Sequence, residues 1–269
     1  MSLSLKDVST DLVPRAKHIV IHSKGGVGKT TFGATAAIKR KGLMLLTGED
    51  GLSPLGIEGV SNVKIGCNVD PENLDDLAQV WVDYQNLLRQ LITEKHDYKF
   101  LVQDPLSTLV NNAFEGYIVK TFYDSNFDKA NAYMAKYQQY RTEFNKIIEA
   151  YKILLNKDIS ILTMCHGAIV DYKDPSLESY KKWELDLPRA NKMDLSAALF
   201  NHADAVFFGT FDVSVADKKA TGTRRVLHTA ENAAYTAKNM RLPSGKVLPD
   251  PILFDYDKFE EQLIKLKDK

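Results

Sequence analysis

The sequence predicts an α/β fold: a mostly parallel central sheet with flanking helices and an antiparallel C-terminal extension. Three observations lead there. Short apolar runs alternate with helix-length segments as far as residue 166, the pattern of parallel strands joined by crossover helices. The first run ends in a glycine-rich turn that opens a helix. Beyond residue 166 the β-type runs come closer together, which suits strands added antiparallel.

In chain order, residues 1–16 read as a polar N-terminal arm, and 17–269 as one domain with no linker. Residues 18–22 (HIVIH) predict a buried strand, and 30–41 a helix stopped by Gly42. Residues 43–46 (LMLL) predict the next strand. Over 74–95, Leu77, Val80, Trp81, Tyr84, Leu87, Leu88 and Leu91 recur at three-to-four spacing, so this segment is an amphipathic helix. Residues 100–102 predict a strand leading into Asp104, 126–155 a long helix, and 159–164 a fourth strand ending at Cys165-His166. Four later strands are expected at 169–172, 183–187, 205–211 and 225–229, with a helix at 194–202. In the long helix, Tyr133, Tyr137 and Tyr140 form a packing or subunit-contact stripe.

The chain carries 35 basic and 35 acidic residues, which excludes a uniformly basic nucleic-acid binder but not a local basic patch. The two cysteines, Cys67 and Cys165, lack zinc-type spacing and read as reduced thiols. The N-terminus lacks the apolar core of a signal peptide, and no run is long enough for a membrane span. A cytoplasmic location, away from membrane, is the expectation.

The most informative stretch is Ser23, Lys24, Gly25, Gly26, Val27, Gly28, Lys29, Thr30 and Thr31. It sits between a strand and a helix, the context that a phosphate-binding loop requires. Glycines let the backbone N–H groups turn into one concavity, and the helix adds its positive end. In such a loop Lys29 reaches the β- and γ-phosphates, the Thr30 hydroxyl holds Mg²⁺, and Thr31 lines the α-phosphate. The pattern G-x-x-x-x-G-K-[ST] has Ser23 in place of its first glycine. The cofactors expected are ATP and Mg²⁺. Asp104, at the end of an apolar strand, supplies the second element of the metal site. Of the pair Glu49-Asp50, Glu49 is favoured as the general base that polarises water.

Two family resemblances arise from these residues. The string KGGVGKTT (24–31) resembles the deviant P-loop of the ParA/MinD partition ATPases, in which the first lysine, here Lys24, acts across a dimer. The chain departs from that family after its second strand, where Glu49-Asp50-Gly51 stands in place of an Asp-rich segment. The second resemblance spans most of the chain. It is to the RecA-core ATPases, in particular small phage-encoded ones linked to single-strand annealing and recombination. It rests on the order of P-loop, EDGL (49–52), YKFLVQDPLSTL (98–109), ILTMCH (161–166), ADAVF (203–207), RVLHT (225–229) and AKNMRLP (237–243).

This second resemblance implies a RecA-like P-loop core that hydrolyses ATP between neighbouring subunits of a ring or filament. His166 would be the γ-phosphate sensor, and Lys238 and Arg241 the cations offered to a neighbour. Single-stranded DNA would bind two basic loops, one with Lys173, Lys181 and Lys182 beside Tyr180 and Trp183, the other with Lys218, Lys219, Arg224 and Arg225. A single-strand-binding protein is a further partner, and the bacterial host cytoplasm the location if a phage encodes the chain. Two other functions stay open: a ParA/MinD-like dimeric switch, and a nucleotide-gated binding module with negligible turnover.

Overall fold

The computed structural model describes residues 16–132, 135–173, 178–190, 193–216, 219–240, 242 and 245–267. Apolar runs become β1 (His18–Ser23), β2 (Gly42–Thr47), β3 (Asn62–Ile65), β4 (Phe100–Asp104) and β5 (Ser160–Tyr172). They alternate with α1 (Lys29–Lys39), α2 (Leu74–Thr93), α3 (Leu106–Thr108), α4 (Glu115–Tyr123), α5 (Phe127–Asn131) and α6 (Lys136–Asn156). A π-type turn, Leu109–Phe114, joins α3 to α4. The rest is β6 (Tyr180–Leu185), β7 (Arg189–Ala190), β8 (Met193–Asp194), α7 (Leu195–His202), β9 (Ala205–Ala216), β10 (Lys219–His228), β11 (Ile252–Leu253) and α8 (Tyr256–Lys267).

The main sheet has the order β11-β10-β9-β1-β5-β4-β2-β3, with β6 on the far part of β5. All pairs from β9 to β3 are parallel, while β10, β11 and β6 are added antiparallel. Alternation along each strand divides the core in two. Val20, Leu43, Leu45 and Leu101 face α2, the π-type turn, α6 and α7. Ile19, Ile21, Met44, Leu46 and Val102 face α1 and α8. Helix starts follow local chemistry: Asn73 accepts from the N–H groups of Asp75 and Asp76 to cap α2, and Asp194 accepts from Ala197 N–H to cap α7.

A polar seam crosses the first half-core. Gln103 of β4 accepts from Tyr151 OH of α6 at 2.6 Å and donates to Tyr84 OH of α2 at 2.5 Å. Thr163 Oγ1 of β5 donates to the same Gln103 oxygen at 3.2 Å and lies 3.0 Å from His18 Nε2. His18 Nδ1 meets His202 Nδ1 at 2.9 Å. Buried polar atoms are tolerable because these partners satisfy them.

Several elements differ from the sequence expectation. The expected strands at 159–164 and 169–172 are one strand, β5, because Gly167 does not break it. That glycine admits the Trp183 ring, which a Cβ would meet at 3.2 Å. The expected basic loop over 213–225 is instead a β-hairpin of β9 and β10, with a bulge between Thr221 and Arg224. The long helix of 126–155 is two helices, α5 and α6, with Tyr140 buried against Phe114. Tyr133 lies outside the described residues. The edge strand β3, the helix α4 and the closing α8 had not been anticipated.

Candidate nucleotide-binding site

Sheet register sets the level of the site. Ser23, the last residue of β1, pairs with His166 on one side and Gly209 on the other. The chain then turns through Lys24–Gly26, all exposed, and anchors itself by the fully buried Val27. Gly26 (φ 77°) and Gly28 (φ 104°) take left-handed conformations that side chains disfavour. Gly28 caps α1 without a side-chain bond, and no acidic residue lies in the first helical turn. The helix therefore presents bare N–H groups and an uncompensated positive end, the condition for binding an anion.

Lys29 is buried within this loop. Its ammonium donates to Ser23 Oγ at 3.1 Å and to the Lys24 carbonyl at 3.2 Å. Ser23, standing where a glycine is usual, is thus a partner of the lysine. Asp104, at the end of β4, lies close enough to the Thr30 hydroxyl for that hydroxyl to stabilise its carboxylate. Burial pushes the Asp104 carboxyl up, against the opposing pull of Thr30 and Lys29, and burial lowers the Lys29 ammonium. Both charged forms are therefore under strain from desolvation, which a bound metal–polyphosphate would relieve.

The turn after β2 lies over Thr30. A Cβ on Gly51 would come within 3.0 Å of Thr30 Oγ1, so only glycine permits this approach. Asp50 is tied to Ser53 Oγ at 2.6 Å and to the Lys64 ammonium, which hold its carboxyl far below the usual range. Glu49 is exposed, makes no hydrogen bond or ion pair among the described residues, and acts electrostatically on both Asp104 and His166. His166, level with Ser23, is half-buried. Desolvation, then nearby Lys29, lowers its imidazole below the ordinary histidine value. Its backbone N–H donates to Ser107 Oγ at 2.8 Å. Thr31 is exposed on α1.

The hard oxygen donors of Thr30 and Asp104, side by side, fit Mg²⁺, which takes few protein ligands and fills the rest with water and phosphate. Lys29, Thr30, Asp104, Glu49 and His166 thus surround one loop.

Other expected residues lie elsewhere. Lys238 is a correction: its ammonium donates to the carbonyls of Ala203 (2.6 Å) and Phe200 (3.4 Å), closing the C-terminus of α7 at the opposite end of the sheet. Lys182 is a second: it is buried, paired with Glu231 at 2.5 Å and laid over the Tyr172 ring. Arg225 is a third: it stands on β10 and reaches toward the phosphate loop instead of lying in a loop. Trp183 packs on Phe208 and carries the Lys24 ammonium 5.0 Å from its ring centroid. Lys173, Lys181 and Arg224 are exposed, and Lys219 begins β10. Lys218 and Arg241 lie outside the described residues. Sequence reasoning missed Ser107 and the pairing of Ser23 with Lys29. Serine at a glycine position was the available signal for the second.

Fold and site together define a P-loop nucleotide-binding protein, its loop at the end of β1 and its acidic partner at the end of β4, two strands away in the parallel part of the sheet. A family model described as "AAA domain" (AAA_24) matches residues 15–241, and the chain belongs to that family. No curated protein matches the sequence. Among solved structures, the flagellar accessory protein FlaH from Methanocaldococcus jannaschii is similar at 9% identity and a TM-score of 0.43, over 90% of this chain and 86% of that one. The RadB recombinase is similar at 9% identity and a TM-score of 0.44, over 90% and 89%.

Proposed function

We propose that this protein is a Mg²⁺-dependent ATPase that acts on single-stranded DNA during recombination or strand annealing and works as a homo-oligomer. The observation that carries the ATPase reading is the convergence of Lys29, the Thr30–Asp104 pair and Glu49, unpartnered among the described residues, on one glycine loop. In this reading Lys29 leaves Ser23 Oγ for the β- and γ-phosphates, and Glu49 orients and deprotonates the attacking water. His166 senses the terminal phosphate. Mg²⁺, held by Thr30 and Asp104, would supply charge neutralisation between the phosphates.

Register supports the DNA part. Ser23 is level with His166 and Gly209, so the β5–β6 and β9–β10 hairpins both continue past the phosphate loop, one on each side of β1. They carry exposed Lys173 and Lys181 on one and exposed Arg224 on the other. Cations on two arms beside the nucleotide suit a polyphosphate backbone.

The test is ATP hydrolysis with and without single-stranded DNA, at low and moderate salt, for the parent and Glu49→Gln. Stimulation that fades with salt, and a loss of turnover of about 10²–10⁴-fold in the variant with ATP binding kept, is the expected result. Equal behaviour of parent and variant in every assay would favour a binding module without turnover.

A further inference from the structure

The guanidinium of Arg225 lies against the phosphate loop of its own chain. A Cβ on Gly28 would stand 2.9 Å from Arg225 Nη1 and 3.8 Å from its Cζ. The strand geometry explains how it gets there. Leu227 pairs with Gly209, which pairs with Ser23, so β10 crosses the level of the loop at Leu227. Leu227 faces the α1 side of the sheet. Arg225 is two residues further along the hairpin and so points to the same face, just above the loop. Its backbone is held there by a ladder to Phe211 and by Phe254 N–H, which donates to the Arg225 carbonyl at 3.0 Å.

Positive groups gather around Arg225 at this spot. Among the described residues Arg225 makes no ion pair or side-chain hydrogen bond. It sits beside the N-terminus of α1, where the helix end is itself positive and its first turn has no acid. Lys29 brings a second cation to the same loop. A guanidinium set against a positive helix end is unfavourable until an anion lies between them. A guanidinium fork matches phosphate oxygens in shape and charge.

We propose that Arg225 is a ligand of the nucleotide's phosphate chain, supplied in cis by the β9–β10 hairpin. The inference rests on the nucleotide reading above and deepens it: the hairpin that carries the DNA-facing cations also closes the phosphate site. Arg225 is exposed, so its replacement leaves the core intact.

The experiment is calorimetric titration of ATP and of adenosine into the parent, Arg225→Ala and Arg225→Lys, together with single-stranded DNA binding measured without nucleotide. In Arg225→Ala, ATP affinity falls about tenfold or more. Adenosine affinity and nucleotide-free DNA affinity stay at the parent level, and Arg225→Lys recovers part of the loss. Unchanged ATP affinity in Arg225→Ala, when the parent binds ATP, overturns the inference and leaves the nucleotide reading standing. Loss of nucleotide-free DNA binding with ATP affinity kept also overturns it, and makes Arg225 a DNA contact. A parent protein that binds no ATP overturns both readings.

Discussion

Acid should loosen the strand that carries the phosphate loop, and His22 gives a measurable share of the effect. His22 is wholly buried one residue before Ser23, with its Nε2 donating to the Thr236 carbonyl at 2.7 Å. Desolvation, partly opposed by that carbonyl, lowers its imidazole to about 4 from an ordinary value of 6.5. The folded state therefore keeps His22 neutral while the unfolded chain takes up a proton as pH falls below 6.5. The stability this contributes is complete above the unfolded value and is lost progressively as pH drops toward 4. pH 5 lies 1.5 units below the unfolded histidine's 6.5 and above the folded value of about 4, a difference that corresponds to about 2 kcal/mol. His18, also buried and lowered mainly by desolvation and then by His202, pushes in the same direction. The assay is urea denaturation at pH 7.5, 6 and 5 for the parent and His22→Gln, whose amide N–H can replace the Nε2–H. The parent should lose about 2 kcal/mol more than the variant between pH 7.5 and 5. Equal losses would refute the argument, because the variant retains every other titrating group.

The remaining predictions concern the loop. Lys29→Ala should abolish detectable ATP binding in calorimetry while leaving the fold intact by circular dichroism. Asp104→Asn should weaken Mg²⁺-dependent ATP binding yet raise the apo melting temperature by about 2 °C or more, because the buried carboxylate is desolvated. Lys24→Ala should leave hydrolysis near the parent rate and cost about 0.5–1 kcal/mol of stability in urea titration, the worth of its contact with Trp183. A complete loss of hydrolysis there would favour the dimeric switch. Gly28→Ala should cost about 1–2 kcal/mol from its left-handed backbone alone, read by thermal melting.

The parallel half of the fold was legible because its signals are local. IVI (19–21), LMLL (43–46) and FLV (100–102) are uninterrupted apolar runs, and residues 23–31 sit between a strand and a helix. The antiparallel half was harder to read. The segment with Gly222 and the arginines read as a basic loop, but Gly222 is a bulge residue whose Cβ would fall 2.1 Å from the Asp212 carbonyl oxygen. Lys182 and Lys238 looked like surface cations because sequence shows composition and not partners. Glu231 and the α7 carbonyls that bind them are 49 and 35–38 residues away. Glu49 is favoured over Asp50 on sequence, and the bonds from Lys64 and Ser53 that occupy the Asp50 carboxylate add a physical difference between them.

Gln103 has a consequence for how this fold can change. An apolar strand such as FLVQD has little to stop it sliding by one residue against its neighbours, and such a slide would turn Asp104 from the loop toward the other face. The amide of Gln103 is satisfied only in the observed phase, where Tyr84, Tyr151 and Thr163 all reach it. The seam therefore works as a ratchet tooth for β4. It makes misaligned pairings leave a buried amide unsatisfied, and so keeps the Asp104 carboxylate in place from one residue away. Substitutions that make this core more oily would trade a unique alignment for several near-equal ones, and lineages that keep Asp104 in use have reason to keep the tooth.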